Sequence, residues 1–447
     1  MSPSGRLGLV TALGATLFSL PALGETLDQA MAHAYENNPE IASAFVSVRS
    51  AREAIALSEG ALLPTIGAQA NIGSSWNNAT NTWTPSDSIG LGYEQTLFDA
   101  NASDAAIKGA KAQYDAAIFG AANTEQNVLL NVAQAYVDVL SARQIAATRQ
   151  ETIGFVSAQL QSARDRLALG EGTELDVAQA QSSLAQARAS YQAAINSQRT
   201  AEATYTRHVG HEPGVLSRTP VAQALLPASL DEALAQASAQ HPALLATAAQ
   251  VQAAQFGYAE TLAGFGPNLS LNANVGAGGW TTDTVTTNVS IALQLSVPIY
   301  TPTRTPSIER ANLGRIQSQL DGLATHDQIV EAVHQSWAGL EAAIAQIEAA
   351  TAAVAASDIA LDAIIDQNDV GHSTTLDVLD QRASLASAQE ILIDAQAQRT
   401  IAAYSLVAAT GTLSAQALSL PVQQRTADGA PASAQPAPLS DPWSGLR

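Results

Sequence analysis

Hydrophobic positions along this 447-residue chain follow two periods, and the change between them happens twice. Over residues 65–98 the period is two. Ile66, Ala68, Ala70 and Ile72 alternate with Gly67, Gln69, Asn71 and Gly73, and Ile89, Leu91, Tyr93 and Leu97 alternate with Ser88, Gly90, Gly92 and Thr96. The pattern returns at Leu269, Leu271, Ala273, Val275 and Ala277, then at Val289, Ile291, Leu293, Leu295 and Val297. These runs predict strands at about 65–76, 87–98, 268–278 and 288–299, joined by polar loops. Each has the length of a membrane-crossing β-strand, with one apolar face and one face of Gly, Ser and Asn. A soluble sheet with one buried face alternates in the same way. Here, however, the rest of the chain is helical and offers nothing to cover that face. Trp76, Trp83 and Trp280 stand near the strand ends, where a membrane interface would favour them.

Elsewhere the period is helical. Short helices are predicted at 26–37 and 230–240, and second helices at 40–63 and 243–263, each beginning beside a Pro. The stretches 101–169 and 306–370 contain no Pro after Pro306 and would each span roughly 100 Å if continuous. The returning helices, 175–209 and 376–410, carry heptads. Val177, Leu184, Tyr191, Gln198 and Tyr205 alternate with Ala180, Ala187, Ala194 and Ala201. In the later helix Val378, Leu385, Leu392, Arg399 and Leu406 alternate with Gln381, Ala388, Ala395 and Ala402. One large and one small position per heptad makes a coiled-coil seam.

The same order of patterns occurs twice at an offset near two hundred residues, which predicts an internal structural repeat. The phrase GEGTELDVAQAQSSL, starting at Gly170, returns as GHSTTLDVLDQRASL, starting at Gly371. Each copy opens on a helix-breaking Gly and continues into a capping box, Thr173-x-x-Asp176 or Thr374-x-x-Asp377. Both therefore mark the tip of a helical hairpin. The expected division is a signal segment at 1–24, repeats at 25–213 and 229–413, and a disordered tail at 414–447 rich in Ala, Pro, Ser and Gln.

Composition narrows the function. The formal net charge is -20 and Lys108 and Lys111 are the only lysines, so no polybasic face exists for nucleic acid. Arg6, the apolar run 7–20 and Ala22-Leu23-Gly24 make a secretory signal, and the absence of Cys excludes disulfides and thiol chemistry. No later stretch of about 20 apolar residues is evident, so an exported chain of this kind is either soluble or a β-barrel. Four strands cannot close a barrel, because the smallest have about eight; several chains would have to share one. Enzyme motifs are scarce. His208-x-x-His211 is broken by Gly210 and Pro213, and Gly276-x-Gly278-Gly279 leads into a loop rather than a helix. No catalytic residue, cofactor or metal site is expected.

With its signal segment, duplicated helix–strand–strand–helix–helix plan and paired Gly-x-x-Thr-x-Leu-Asp-Val tips, the chain resembles the TolC family of outer-membrane efflux and type I secretion proteins. The resemblance covers residues 25–413 and is strongest from Val370-Gly371 to Asp377-Val378-Leu379-Asp380. It implies a mixed α and β fold, mostly α: a homotrimer sharing a 12-stranded outer-membrane β-barrel, four strands per chain, continued by a coiled-coil periplasmic tunnel. It also implies passive conduction from an inner-membrane ABC or proton-driven exporter and a periplasmic adaptor, with an iris-like gate at the periplasmic end. By position, Asp377 and Asp380 match the family's acidic constriction and Asp176 the first-copy acid of the gate. Gly170, Thr173, Gly371 and Thr374 fall at the tips that adaptors engage. The chain departs from the pattern at two gate positions, with Ser373 where an Arg would stand and Asn368 where a Tyr would. Its closing contacts must differ, and Arg164, Arg166 and Arg382 are nearby donors among which the sequence does not choose.

An exported soluble coiled-coil adaptor is the rival reading. Outer-membrane fractionation with a heat-modifiable gel shift is expected for the barrel; recovery in the soluble periplasmic fraction would favour the rival.

Overall fold

The computed structural model describes residues 24–217, 225–281, 284–423 and 425. Of the expected signal segment only Gly24 lies among them. The elements are α1 (Leu27–Asn37), α2 (Pro39–Gly60), β1 (Thr65–Asn77), β2 (Thr82–Phe98), α3 (Ala102–Ala168) and α4 (Glu174–Val209), then α5 (Leu230–Gln240), α6 (Pro242–Ala263), β3 (Asn268–Gly278), β4 (Thr286–Ser296), α7 (Arg304–Asp369) and α8 (Thr375–Ala409).

Local chemistry sets most of these boundaries. Thr26 and Gln29 form a capping box at α1. Asn38 caps α2 ahead of Pro39, and His241 does the same for α6 ahead of Pro242. The long helices α3 and α7, 67 and 66 residues, pack antiparallel against α4 and α8. α6 lies against both α3 and α7, and α8 also packs on α3 and α4, so the two hairpins form one bundle. The heptads sit where expected: Ala180, Leu184, Ala194 and Tyr205 are buried on α4, and Val378, Leu385, Ala388, Ala395 and Leu406 on α8. α7, rich in Ala over 342–356, also holds an 18-residue window of mean hydropathy 1.3, long and apolar enough by composition to cross a membrane. That corrects the expectation of no such stretch, although the helix belongs to a bundle here.

The four strands form one antiparallel sheet in the order β1-β2-β3-β4. Opposite residues share a face, so the register determines the faces. Ala68 stands opposite Leu91, Leu91 opposite Val275, and Val275 opposite Val289. The neighbouring row runs Gly67, Gly92, Asn274 and Ser290. Every apolar row therefore lies on one side, and it is exposed: Ile72 is 90% accessible and Ile291 75%. The outer edges of β1 and β4 pair with no other strand among the described residues.

Two strands differ in their limits from the expected ones. β2 begins at Thr82 rather than near 87, because Thr82–Asp87 pair in register with Asn77 back to Ile72, and only a tight turn with Asn81 at φ 55 remains as loop. β4 covers 286–296 rather than 288–299, since Pro298 has no N–H to extend the ladder.

The first part of the expected disordered tail is also ordered. Ala415 and Leu420 are buried against α1 and α3, next to Leu413. The Arg425 guanidinium lies 5.9 Å from the ring centres of both Tyr35 and Phe45, and its Nη2 donates to the Glu36 carbonyl at 2.6 Å. This segment forms no regular helix, so periodicity gives no sign of it; isolated leucines fill gaps in an existing core. Residues 426–447 lie outside the described residues.

The Ala415 N–H donates to Glu125 Oε1 at 2.8 Å, which pins this strap to α3. Burial pushes the Glu125 carboxyl above its ordinary value of 4.5, and the Ala415 N–H pulls it partly back. The folded chain thus holds the extra proton, so stability is full below the ordinary value and declines as pH rises through the raised one. Glu125→Gln keeps an acceptor for Ala415 and should flatten that decline. Thermal unfolding across pH tests it, and a variant with an unchanged pH slope would refute the assignment.

Candidate functional site

The tips of the two hairpins are built alike. α3 ends with Gly170 at φ +80, its N–H donating to the Leu167 carbonyl, while the Glu171 N–H reaches the Arg166 carbonyl. α7 ends with Gly371 at φ +81, its N–H on the Asn368 carbonyl and the His372 N–H on the Gln367 carbonyl. This is a Schellman stop, and its left-handed residue accounts for the two glycines.

Each tip then restarts through a full capping box. The Asp176 carboxylate accepts from the Thr173 N–H at 3.1 Å and its hydroxyl at 2.6 Å, while the Asp176 N–H returns a bond to Thr173 Oγ1 at 3.2 Å. Asp377 accepts from the Thr374 N–H at 2.8 Å and hydroxyl at 2.7 Å, and additionally from the Ser373 hydroxyl at 3.1 Å. The Thr374 hydroxyl bond, with lesser help from its N–H and from Ser373, holds the Asp377 carboxyl below the usual range. The contribution of that cap is present above the ordinary value of 3.8 and disappears as pH falls through the depressed one.

Asp380 is different. It is exposed, makes no capping bond, and lines a groove between α3, α4 and α8 with Arg149, Thr152, Gln186 and Glu390. Asp176 and Asp377 are occupied by their own helix ends, and Asp380 is the acid whose side chain is left for other work.

Asn368 is buried at 4% accessibility and bonds to both hairpin tips. Its Nδ2 donates to the Ser373 carbonyl at 2.8 Å, closing the second tip on itself. Its Oδ1 accepts from Arg166 Nη1 at 3.2 Å, and Arg166 Nη2 lies 3.2 Å from Asp369 Oδ1. Arg166 on α3 thereby ties the first tip to the second. Of the three donors left open by the sequence, it is the one that bridges the tips. Arg382 instead lies over the Phe155 ring at 5.5 Å.

A second contact joins the hairpins further along the shafts. Arg149 donates to both carboxylate oxygens of Glu390, at 2.8 and 3.0 Å, and to the Ser190 carbonyl at 2.8 Å, linking α3, α4 and α8. With side chains 28% and 24% accessible it is partly sheltered, and its fork geometry makes it the stronger of the two links. One sequence signal was available: Arg149 and Glu390 stand at nearly equal distances from Gly170 and Gly371.

Comparison with known proteins matches residues 30–211 and 233–412 to the family described as Outer membrane efflux protein. The outer membrane efflux protein BepC of Brucella suis is 35% identical over 444 residues, covering 97% of this chain and 94% of that protein. The chain belongs to this family. The outer membrane protein TolC of Vibrio cholerae is 28% identical, covering 88% and 92%. The crystal structure of the Campylobacter jejuni CmeC outer membrane channel superimposes with a TM-score of 0.76 at 14% identity, covering 92% and 94%. This efflux protein is accordingly an outer-membrane channel component with its helices in the periplasm, and its relatives are channels rather than enzymes.

Replacing Asp377 by Asn should speed hydrogen exchange over 374–380, because it weakens the cap of α8, whereas Asp380→Asn should leave that segment protected. Equal exchange in both variants would show that Asp377 is not the anchor of the helix.

Proposed function

We propose that three copies pair edge to edge, β4 of one against β1 of the next, to close a 12-stranded barrel continued by a tunnel of long hairpins. The observation that carries this reading is an exposed apolar sheet face bounded by two edge strands with no partner strand among the described residues. In hydrocarbon every backbone N–H and C=O needs a partner, so such a sheet must close. The recurrence of one element order, α-α-β-β-α-α, supports an internal two-fold repeat, with the two hairpins as equivalent staves of the tunnel. A soluble periplasmic adaptor would leave this face in water, which disfavours that alternative.

The protein then acts as the passive exit duct of a tripartite efflux pump or type I secretion system. An inner-membrane exporter, ABC-type or proton-driven, loads it through a periplasmic adaptor that docks at the tips around Gly170, Thr173, Gly371 and Thr374. The tips form an iris-like gate, with Asp176, Asn368, Ser373, Asp377 and Asp380 at the constriction. The Arg166 contacts to Asn368 and Asp369 support a closing link whose cation comes from the first hairpin, in place of the missing Arg at Ser373. Asp380, free of capping, supplies the carboxylate ring, which attracts cations.

In planar bilayers Arg166→Ala should raise the conductance of the closed channel, and Asp380→Ala should reduce cation selectivity and block by multivalent cations. Unchanged conductance in the first would remove Arg166 from the gate, and unchanged selectivity in the second would remove Asp380 from the constriction.

A further inference from the structure

The two β-hairpins have unequal heights. β3 pairs with β2 only as far as Gly278 opposite Ser88, while β1 and β2 continue together to Asn77 opposite Thr82. The first hairpin therefore rises above the second. On its extension Trp76 stands opposite Trp83, with ring centres 5.5 Å apart and planes at 50°. Parity puts both on the same face as Ile66, Ile72, Ile89 and Leu91, the apolar outer face of the sheet. They are 45% and 65% accessible.

Asp87 marks where hydrocarbon must end on that face. It stands opposite Ile72, and its carboxylate accepts from the N–H groups of Gly279, Trp280 and Thr281 at 3.1, 2.8 and 2.9 Å and from the Thr281 hydroxyl. A carboxylate fixed to a loop backbone does not sit among acyl chains. Trp83 lies four residues further along β2, about 13 Å at strand rise, or about 10 Å of height at the tilt of a membrane barrel. The polar layer of a phospholipid leaflet is only about 5–8 Å thick. Trp280, beside Asp87, sits at that interfacial level; the Trp76–Trp83 pair stands above it.

The surrounding chemistry indicates what meets the pair there. The hairpin from 65 to 98 contains no Lys or Arg, so it has no cation for a lipid phosphate. Beside the two indoles the same face carries Ser74, and the turn above them carries Asn78, Thr80 and Asn81, all neutral hydrogen-bonding groups, while Asn77, Thr82 and Thr84 belong to the opposite face. Aromatic faces flanked by amides and hydroxyls, without charge, form a surface for sugar rings, whose C–H faces stack on indole and whose hydroxyls bond to amides.

We propose that Trp76 and Trp83 form a contact surface for the saccharide headgroup of an outer-leaflet glycolipid, which grips each raised hairpin from the membrane side. This rests on the barrel reading above. The test uses the purified full chain in nanodiscs of phospholipid alone, of phospholipid with lipid A, and of phospholipid with lipopolysaccharide bearing a complete core saccharide. Tryptophan emission and acrylamide quenching are read for wild type, Trp76→Phe/Trp83→Phe and Trp280→Phe. The expected result is a blue shift and loss of quenching in wild type and Trp280→Phe, only with the complete core, and absence of that change in the double variant. Equal protection in phospholipid alone, or protection that survives in the double variant, would overturn the assignment. A wild-type chain lacking a heat-modifiable band in every lipid would instead overturn the barrel reading beneath it.

Discussion

A sheet that is apolar on its outer face and open at both edges governs the rest of this molecule. Its outer residues are stable only against hydrocarbon, and hydrocarbon supplies no hydrogen-bond partner to an edge strand. The four strands among the described residues do not supply those partners. Closure by further copies satisfies both requirements together, and the helices that emerge from β2 and β4 then have to continue the same ring. The polar inner rows, down to the glycines at 67, 90, 92 and 276, are what a water-filled interior tolerates.

The helical part solves a different problem, that of running far from the sheet in two long hairpins. Along the shafts, paired large and small seam positions bury Leu184, Tyr205, Leu385 and Leu406, each worth about 1.5–3 kcal/mol if taken fully out of water. At the tips the contacts are thin and polar. Arg166 and Asp369 are 35% and 68% accessible, and an ion pair that exposed contributes at most about 1 kcal/mol. The link at the tips is therefore much weaker than the packing along the shafts. Arg149–Glu390, better sheltered and bidentate, lies on the shaft side of that division.

The legibility of these features in the sequence follows their range. Capping boxes at Thr173 and Thr374, the helix-ending glycines at 170 and 371, and the proline-led starts of α2 and α6 depend on neighbours within five residues, so each is legible in the sequence alone. Strand faces and heptad seams also proved legible, since period alone specifies which side is apolar. Features that failed to show were those made by distant residues with no periodic signature. The strap at 414–423 reads as a polar tail because its apolar residues are irregularly spaced, yet Ala415 and Leu420 fill a core made by α1 and α3. The upper part of the first hairpin looked like a loop because Ser, Pro and Asp interrupt its alternation.

By itself the sequence determined the family, the four strands with their faces, the hairpin tips and the two acids that serve as caps, because all of these follow from period, propensity and short-range hydrogen bonding. Only the tertiary structure decided that Arg166, rather than Arg164 or Arg382, bridges the tips, that Asp380 is the acid left uncommitted, and that one β-hairpin stands above the other. Those outcomes depend on the rotation of one helix against another and on strand register across about 190 residues of intervening chain, such as Asp87 to Gly279. No local rule carries that information; packing supplies it.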